Sequence, residues 1–161
     1  MRVICTALLA ALLMSGSAGA AELKDPAGDK AMREYVLTLP KVKAFEAAGE
    51  ALEAATEKDQ SLKDEGEKMD NEPDKTFADL KAKIAHHPRL YAFFSKEGLS
   101  QDDAVLIPLT LITACSVAEY PQIAQTMSDR VSPSQIAFCK QNKAALEMMK
   151  FVSGGGSSAT P

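Results

Sequence analysis

Residues 100–119 read SQDDAVLIPLTLITACSVAE and give the clearest structural signal in the chain. Ser100, followed by Asp102 and Asp103, is typical of a helix start, because a hydroxyl caps free backbone N–H groups and acids favour the positive end of the helix dipole. The residues that follow are apolar on every side of a helix. We therefore predict a central helix over about 101–119 that is surrounded by other helices, with Pro108 kinking or tightening it locally.

A membrane-spanning helix is the alternative interpretation of this stretch. Pro108 interrupts it, charged residues close it at both ends, and its apolar run is shorter than the roughly 18 residues that a span needs. We therefore expect no transmembrane segment in the mature chain.

The other apolar residues recur mainly with helical spacing, and no long stretch alternates as a strand would. The pattern predicts an all-α fold, an irregular helical bundle of five or six helices around the central one. The last helix should begin after Ser132 and run unbroken to about residue 150. Residues 57–75 carry eight acids and four lysines, lack the spacing of a calcium-binding loop, and are expected to form a solvated connection between helices.

The N-terminal residues resemble an export signal. Arg2, an apolar run to Met14 and a small-residue stretch ending at Ala20 match its three parts, so we expect cleavage near Ala20 and a periplasmic or secreted mature chain. A membrane anchor is the alternative, disfavoured by the length of the run. We predict a signal peptide over 1–20, a flexible leader over 21–30, one helical domain over 31–152 and a disordered tail over 153–161.

Two cysteines, Cys115 and Cys139, remain after the signal. In an oxidising compartment such a pair predicts one disulfide. Cys139 lies on the apolar side of the predicted last helix, so we expect it to face the core. Two buried, reduced thiols are the alternative. Cleavage at Ala20 would remove one basic residue, Arg2, and no acid, so the mature chain would be more acidic than the net charge of −4 of the full chain. We therefore expect no nucleic acid among its partners.

The chain has two histidines, His86 and His87, and they are adjacent. Neighbouring residues on a helix point about 100° apart, so a shared metal ion is disfavoured, and we expect His87 to cap a helix that Pro88 begins. No CxxCH, HExxH, phosphate loop or nucleophile elbow is present. We predict no catalytic, metal or cofactor site, and a complete core without a convergent set of titratable groups.

Residues 131–146, VSPSQIAFCKQNKAAL, resemble the tail of a group of small exported all-helical proteins of Gram-negative bacteria that has no assigned function. Residues 39–42, LPKV, and 98–100, GLS, are similar to the same group, and the likeness spans about residues 35–149. The resemblance implies a helical fold and export, and nothing catalytic. The group more often has an aromatic residue where Cys139 stands, so a bridge would be particular to this chain.

These observations favour a non-enzymatic binding or interaction module whose partner is a protein or an apolar small ligand, held in grooves between helices. A periplasmic metal or haem carrier that uses His86 or His87 is one alternative. A chaperone-like envelope protein is another.

Overall fold

The computed structural model describes residues 25–72 and 74–149. Within them the fold is all-helical, which confirms the predicted class. The described residues form eight α-helices rather than five or six, and a 3₁₀ turn lies at Pro121–Ile123. The helices are α1 (Pro26–Glu34), α2 (Leu39–Thr56), α3 (Gln60–Asp70), α4 (Phe77–His86), α5 (Pro88–Lys96), α6 (Gln101–Glu119), α7 (Pro133–Gln141) and α8 (Lys143–Glu147).

Helix α6 is the central helix that the sequence predicts. Ser100 and Asp103 form a capping box at its start, and Pro108 lies inside it without ending it. Ile107 is fully buried and Leu111 is 1% exposed, because α1, α2, α4, α5 and α7 all pack against this helix. By length and composition α6 could cross a membrane, and in the part of the chain that the structure describes it is the single such helix. It is also mostly buried inside the fold, as the core helix of a bundle is.

The disulfide between Cys115 and Cys139 is present, with Cα atoms 5.2 Å apart. The bridge joins α6 to α7 within the larger of two hydrophobic clusters, and Cys139 is 4% exposed. The predicted pairing and the inward orientation of Cys139 are therefore confirmed. The smaller cluster consists of Leu52, Leu62 and Leu90, which come from α2, α3 and α5.

The predicted flexible leader is wrong over residues 26–30, which belong to α1. Pro26 occupies the first turn, and the Asp25 carboxylate accepts from the Gly28 N–H at 3.1 Å. The same carboxylate accepts from the Phe77 N–H at 2.5 Å and so also caps α4. These bonds hold the pKa of Asp25 below its usual range, with the Phe77 N–H contributing most. The leader residues 21–24, the predicted signal peptide and the predicted tail lie outside the described residues.

Two further predictions about helices need correction. Residues 57–75 contain α3, which begins where the Asp59 side chain caps the Ser61 and Leu62 N–H groups. Leu62 is 4% exposed and anchors this highly charged helix. The last helix is not continuous: α7 ends at Gln141 and α8 begins at Lys143, and the Asn142 amide donates to the Phe138 carbonyl at 2.8 Å.

Candidate functional site

An apolar cavity of about 70 Å³ lies where α2, α3, α4, α5 and α6 meet. Its walls are almost entirely hydrocarbon, and four residues with polar groups, Asp70, Lys83, His87 and Tyr91, complete the lining. The apolar lining residues are Phe45, Leu52, Met69, Leu80, Ile84, Leu90, Phe94, Ala104, Val105 and Pro108. The prediction of a complete core is therefore wrong at this position.

Small residues on α6 help to leave this space unfilled. Ala104 and Pro108 lie one helical turn apart, and both line the cavity. Neither side chain is long enough to reach across to α3. Pro108 has no backbone N–H, so the Ala104 carbonyl lacks the hydrogen bond that a regular helix would give it. Pro108 thus also removes one backbone donor from the α6 side of the cavity.

Lys83 is a buried cation in the cavity wall. It is 5% exposed, and its Nζ lies 3.4 Å from Oδ2 of Asp74. A buried ammonium is stable only when it is paired, so Asp74 is the group that allows Lys83 to lie here.

Asp70, at the end of α3, is the other charged residue of the lining. Burial raises the pKa of its carboxyl group above the usual value, the nearby Glu67 and Asp74 charges raise it further, and Lys83 opposes them. Within the described residues no hydrogen bond or ion pair reaches the Asp70 carboxylate. It is therefore a partly desolvated acceptor beside an apolar space.

His87 joins the cavity to a cluster of carboxylates. Its ring is 7% exposed, with Nε2 at 2.8 Å from Oε1 of Glu72 and Nδ1 at 3.7 Å from Oε1 of Glu65. Nδ1 of His86 lies 3.5 Å from the other oxygen of Glu72. Bonding to His87, and then to His86, holds the pKa of Glu72 below its usual range.

These contacts correct two predictions about the histidine pair. The pair does mark a helix boundary, since α4 ends at His86 and α5 begins at Pro88, but the His87 side chain makes no capping bond to α5. Imidazoles and acids do converge beside a cavity, contrary to the prediction of no convergent titratable groups. No group of three or more His, Cys, Asp or Glu side chains in the described ranges is arranged to hold a metal ion.

Comparison of the chain with family models, with characterised proteins and with solved structures finds no match. The resemblance to exported helical proteins therefore stays a prediction, and the proposals below depend on the geometry of the chain itself.

A second polar cluster surrounds Asp103 in the first turn of α6. One carboxylate oxygen accepts from the Tyr35 hydroxyl at 2.6 Å and from Lys41 Nζ at 2.7 Å, and the other accepts from Ser100. Desolvation raises the pKa of Asp103, but the bonds to Lys41, Tyr35 and Ser100 outweigh it and hold the pKa well below its usual range. Burial and the adjacent carboxylate raise the pKa of Tyr35. With every member paired, this cluster ties α2 to α6 and offers no free reactive group.

Gln135 is a buried residue that the sequence interpretation missed. It is 2% exposed, and its amide nitrogen lies 2.7 Å from each of the Met32 and Tyr35 carbonyl oxygens. Its Oε1 accepts from the Ser132 N–H at 2.8 Å. The side chain thus binds the C-terminal end of α1 while it caps α7. Ser132 and Gln135 have the spacing of a capping box, so the sequence contained a pattern from which the capping role of Gln135 could have been predicted.

Proposed function

We propose that this chain is an exported, non-enzymatic binding protein that holds the apolar part of a small ligand between its helices. The observation that carries the proposal is the cavity of about 70 Å³, whose walls are almost entirely apolar. Protein interiors are normally packed as densely as organic crystals. An unfilled space between apolar side chains costs folding stability, because the residues that line it lose packing contacts. A ligand that fills it recovers that stability, and apolar cavities of this kind take up apolar ligands from water.

Export is supported by the bridge between Cys115 and Cys139, because stable disulfides form in oxidising compartments. The N-terminal pattern that ends at Ala20 agrees with it. The test is N-terminal sequencing of the protein isolated from the envelope of its host, with Ala21 as the expected first residue. An intact N-terminus at Met1 on cytoplasmic protein would contradict export.

Cavity binding is tested with xenon, which enters dry apolar cavities. NMR spectra of the full mature chain under xenon pressure should show shifts concentrated at the methyl groups of Leu80, Ile84 and Val105. The Ala104→Leu variant adds three carbons inside the cavity and should abolish these shifts. Ala78→Leu is the matched control, because it adds the same carbons at an exposed position of α4. Equal responses in the two variants would exclude the cavity as the binding site.

A metal carrier is the second candidate function. The observation in its favour is that Glu72 lies close to both His86 and His87. Metal content and the visible spectrum of protein purified from its host test this candidate. Stoichiometric metal that is lost in a Glu72→Gln variant would support it, and a colourless, metal-free preparation would remove it.

A further inference from the structure

We infer that the cavity binds a short primary alkylammonium ion, with the alkyl chain between the helices and the ammonium on the carboxylate of Asp70. This inference rests on the proposed function and names the chemical class of its ligand. Three features of the cavity lead to it: the pairing of its charged groups, the hydrogen-bonding groups left over, and its size.

Most charged groups around the cavity are already paired. Lys83 pairs with Asp74 at 3.4 Å, and the His87 ring contacts Glu72 at 2.8 Å. Outside the lining, Arg89 contacts Asp59 and Glu65, at 3.0 and 3.2 Å. Among the charged lining residues that the structure describes, the carboxylate of Asp70 alone has no hydrogen bond or ion pair. The lining therefore leaves one carboxylate without a bonded partner, close enough to the Lys83 ammonium to be influenced by its charge.

The main hydrogen-bonding group that the cavity leaves unused is an acceptor. The Tyr91 hydroxyl donates to the Leu99 carbonyl at 3.0 Å, and the Lys83 ammonium is paired with the carboxylate of Asp74. The Asp70 carboxylate remains, since no hydrogen bond reaches it within the described residues. A primary ammonium has three donors and no acceptor, so it complements this carboxylate. A carboxylate ligand would bring a like charge to Asp70 and offer no donor.

The size of the cavity limits the alkyl chain. Apolar cavities of about 150 Å³ hold a benzene ring, so a space of about 70 Å³ holds about half as many carbons, which is a propyl group.

Burial already raises the pKa of the Asp70 carboxyl. A bound cation stabilises the ionised form, so the ligand should lower that pKa.

The test titrates the full mature chain with three probes that share a propyl group: propylammonium, 1-propanol and butyrate. NMR chemical shifts report binding, with methyl signals for the cavity and the side-chain carboxyl ¹³C signal for Asp70. Propylammonium should bind at least tenfold more tightly than 1-propanol and should lower the titration midpoint of Asp70. The Asp70→Asn variant should lose the tenfold preference and keep its affinity for 1-propanol. Asp64→Asn, an exposed change on the same helix, should behave as the wild type does.

The outcomes separate the two proposals. If 1-propanol binds in the cavity and propylammonium has no advantage, the inference fails and the proposed function stands. Preference for butyrate would overturn the inference and assign recognition to Lys83. If none of the probes binds and xenon does not enter, both the inference and the proposed function are wrong.

Discussion

Replacing Gln135 with alanine tests whether one buried amide holds α7 to the end of α1. The substitution removes two hydrogen bonds of 2.7 Å, to the carbonyls of Met32 and Tyr35. It also removes the acceptor of the Ser132 N–H. Each neutral hydrogen bond contributes about 1 kcal/mol, and loss of a helix cap costs about 1 kcal/mol. We therefore expect the free energy of unfolding to fall by about 3 kcal/mol.

The Gln135→Glu variant sharpens this test, because glutamate has nearly the same shape. It would place a carboxylate oxygen where the amide nitrogen donates, against two carbonyl oxygens and with little water nearby. A buried acceptor that faces acceptors costs more than a missing side chain, so this variant should be less stable than Gln135→Ala at neutral pH.

Urea denaturation followed by circular dichroism measures both variants. Gln141→Ala, at an exposed position of the same helix, is the control and should change stability by less than about 0.5 kcal/mol. The reasoning is refuted if Gln135→Ala lies within 1 kcal/mol of the wild type, or if the glutamate variant is the more stable of the two.

Three more changes probe the core. Replacing both Cys115 and Cys139 with alanine should lower the free energy of unfolding by about 3 kcal/mol, the loss expected for a loop of this length; a stability that reductant leaves unchanged would show that the bridge contributes nothing. Because the folded pKa of Asp103 lies below its unfolded value of about 3.9, its contribution is complete above that value and is lost as the pH falls further. Asp103→Asn should therefore be less stable at pH 7 and lose less stability than the wild type between about pH 5 and pH 2, and parallel pH profiles would argue against this. Thr110 is fully buried and its hydroxyl has no partner among the described residues. Thr110→Val should therefore raise the free energy of unfolding by about 1 kcal/mol. A destabilised variant would mean that the hydroxyl is paired.

The central helix was predictable because its signals are local. The capping residues Ser100 and Asp103 and the all-round apolar pattern lie within one continuous stretch. The disulfide followed from cysteine number and helix orientation. Helix α3 was missed because its charged composition hides a narrow apolar side, and Leu62 becomes a core residue only when α2 and α5 supply its neighbours. The start of α1 was not predicted because Pro26 and Gly28 are residue types typical of loops, whereas here the Asp25 side chain caps a helix that begins at Pro26.

The candidate site was not predictable for a related reason. Asp70, Lys83 and His87 come from α3, from α4 and from the junction after α4, and the sequence does not show that these elements enclose a common space. Nor does it show that α6 presents Ala104 and Pro108 to that space. A cavity is a property of how helices meet, and side-chain patterns along each helix do not determine it.

The position of the disulfide has a consequence for how a ligand would enter. The bridge constrains α6 and α7. Helix α3, which forms one side of the cavity, is held by the small cluster around Leu62, by the contact of Glu65 with His87 and by ion pairs of Arg89, whose side chain is half exposed. Exposed ion pairs contribute little free energy. We therefore expect α3 to detach transiently at a far lower free energy than global unfolding, so that its amide protons exchange with solvent first. Transient detachment of α3 would then let the ligand enter while α6 and α7, which the disulfide joins, remain folded.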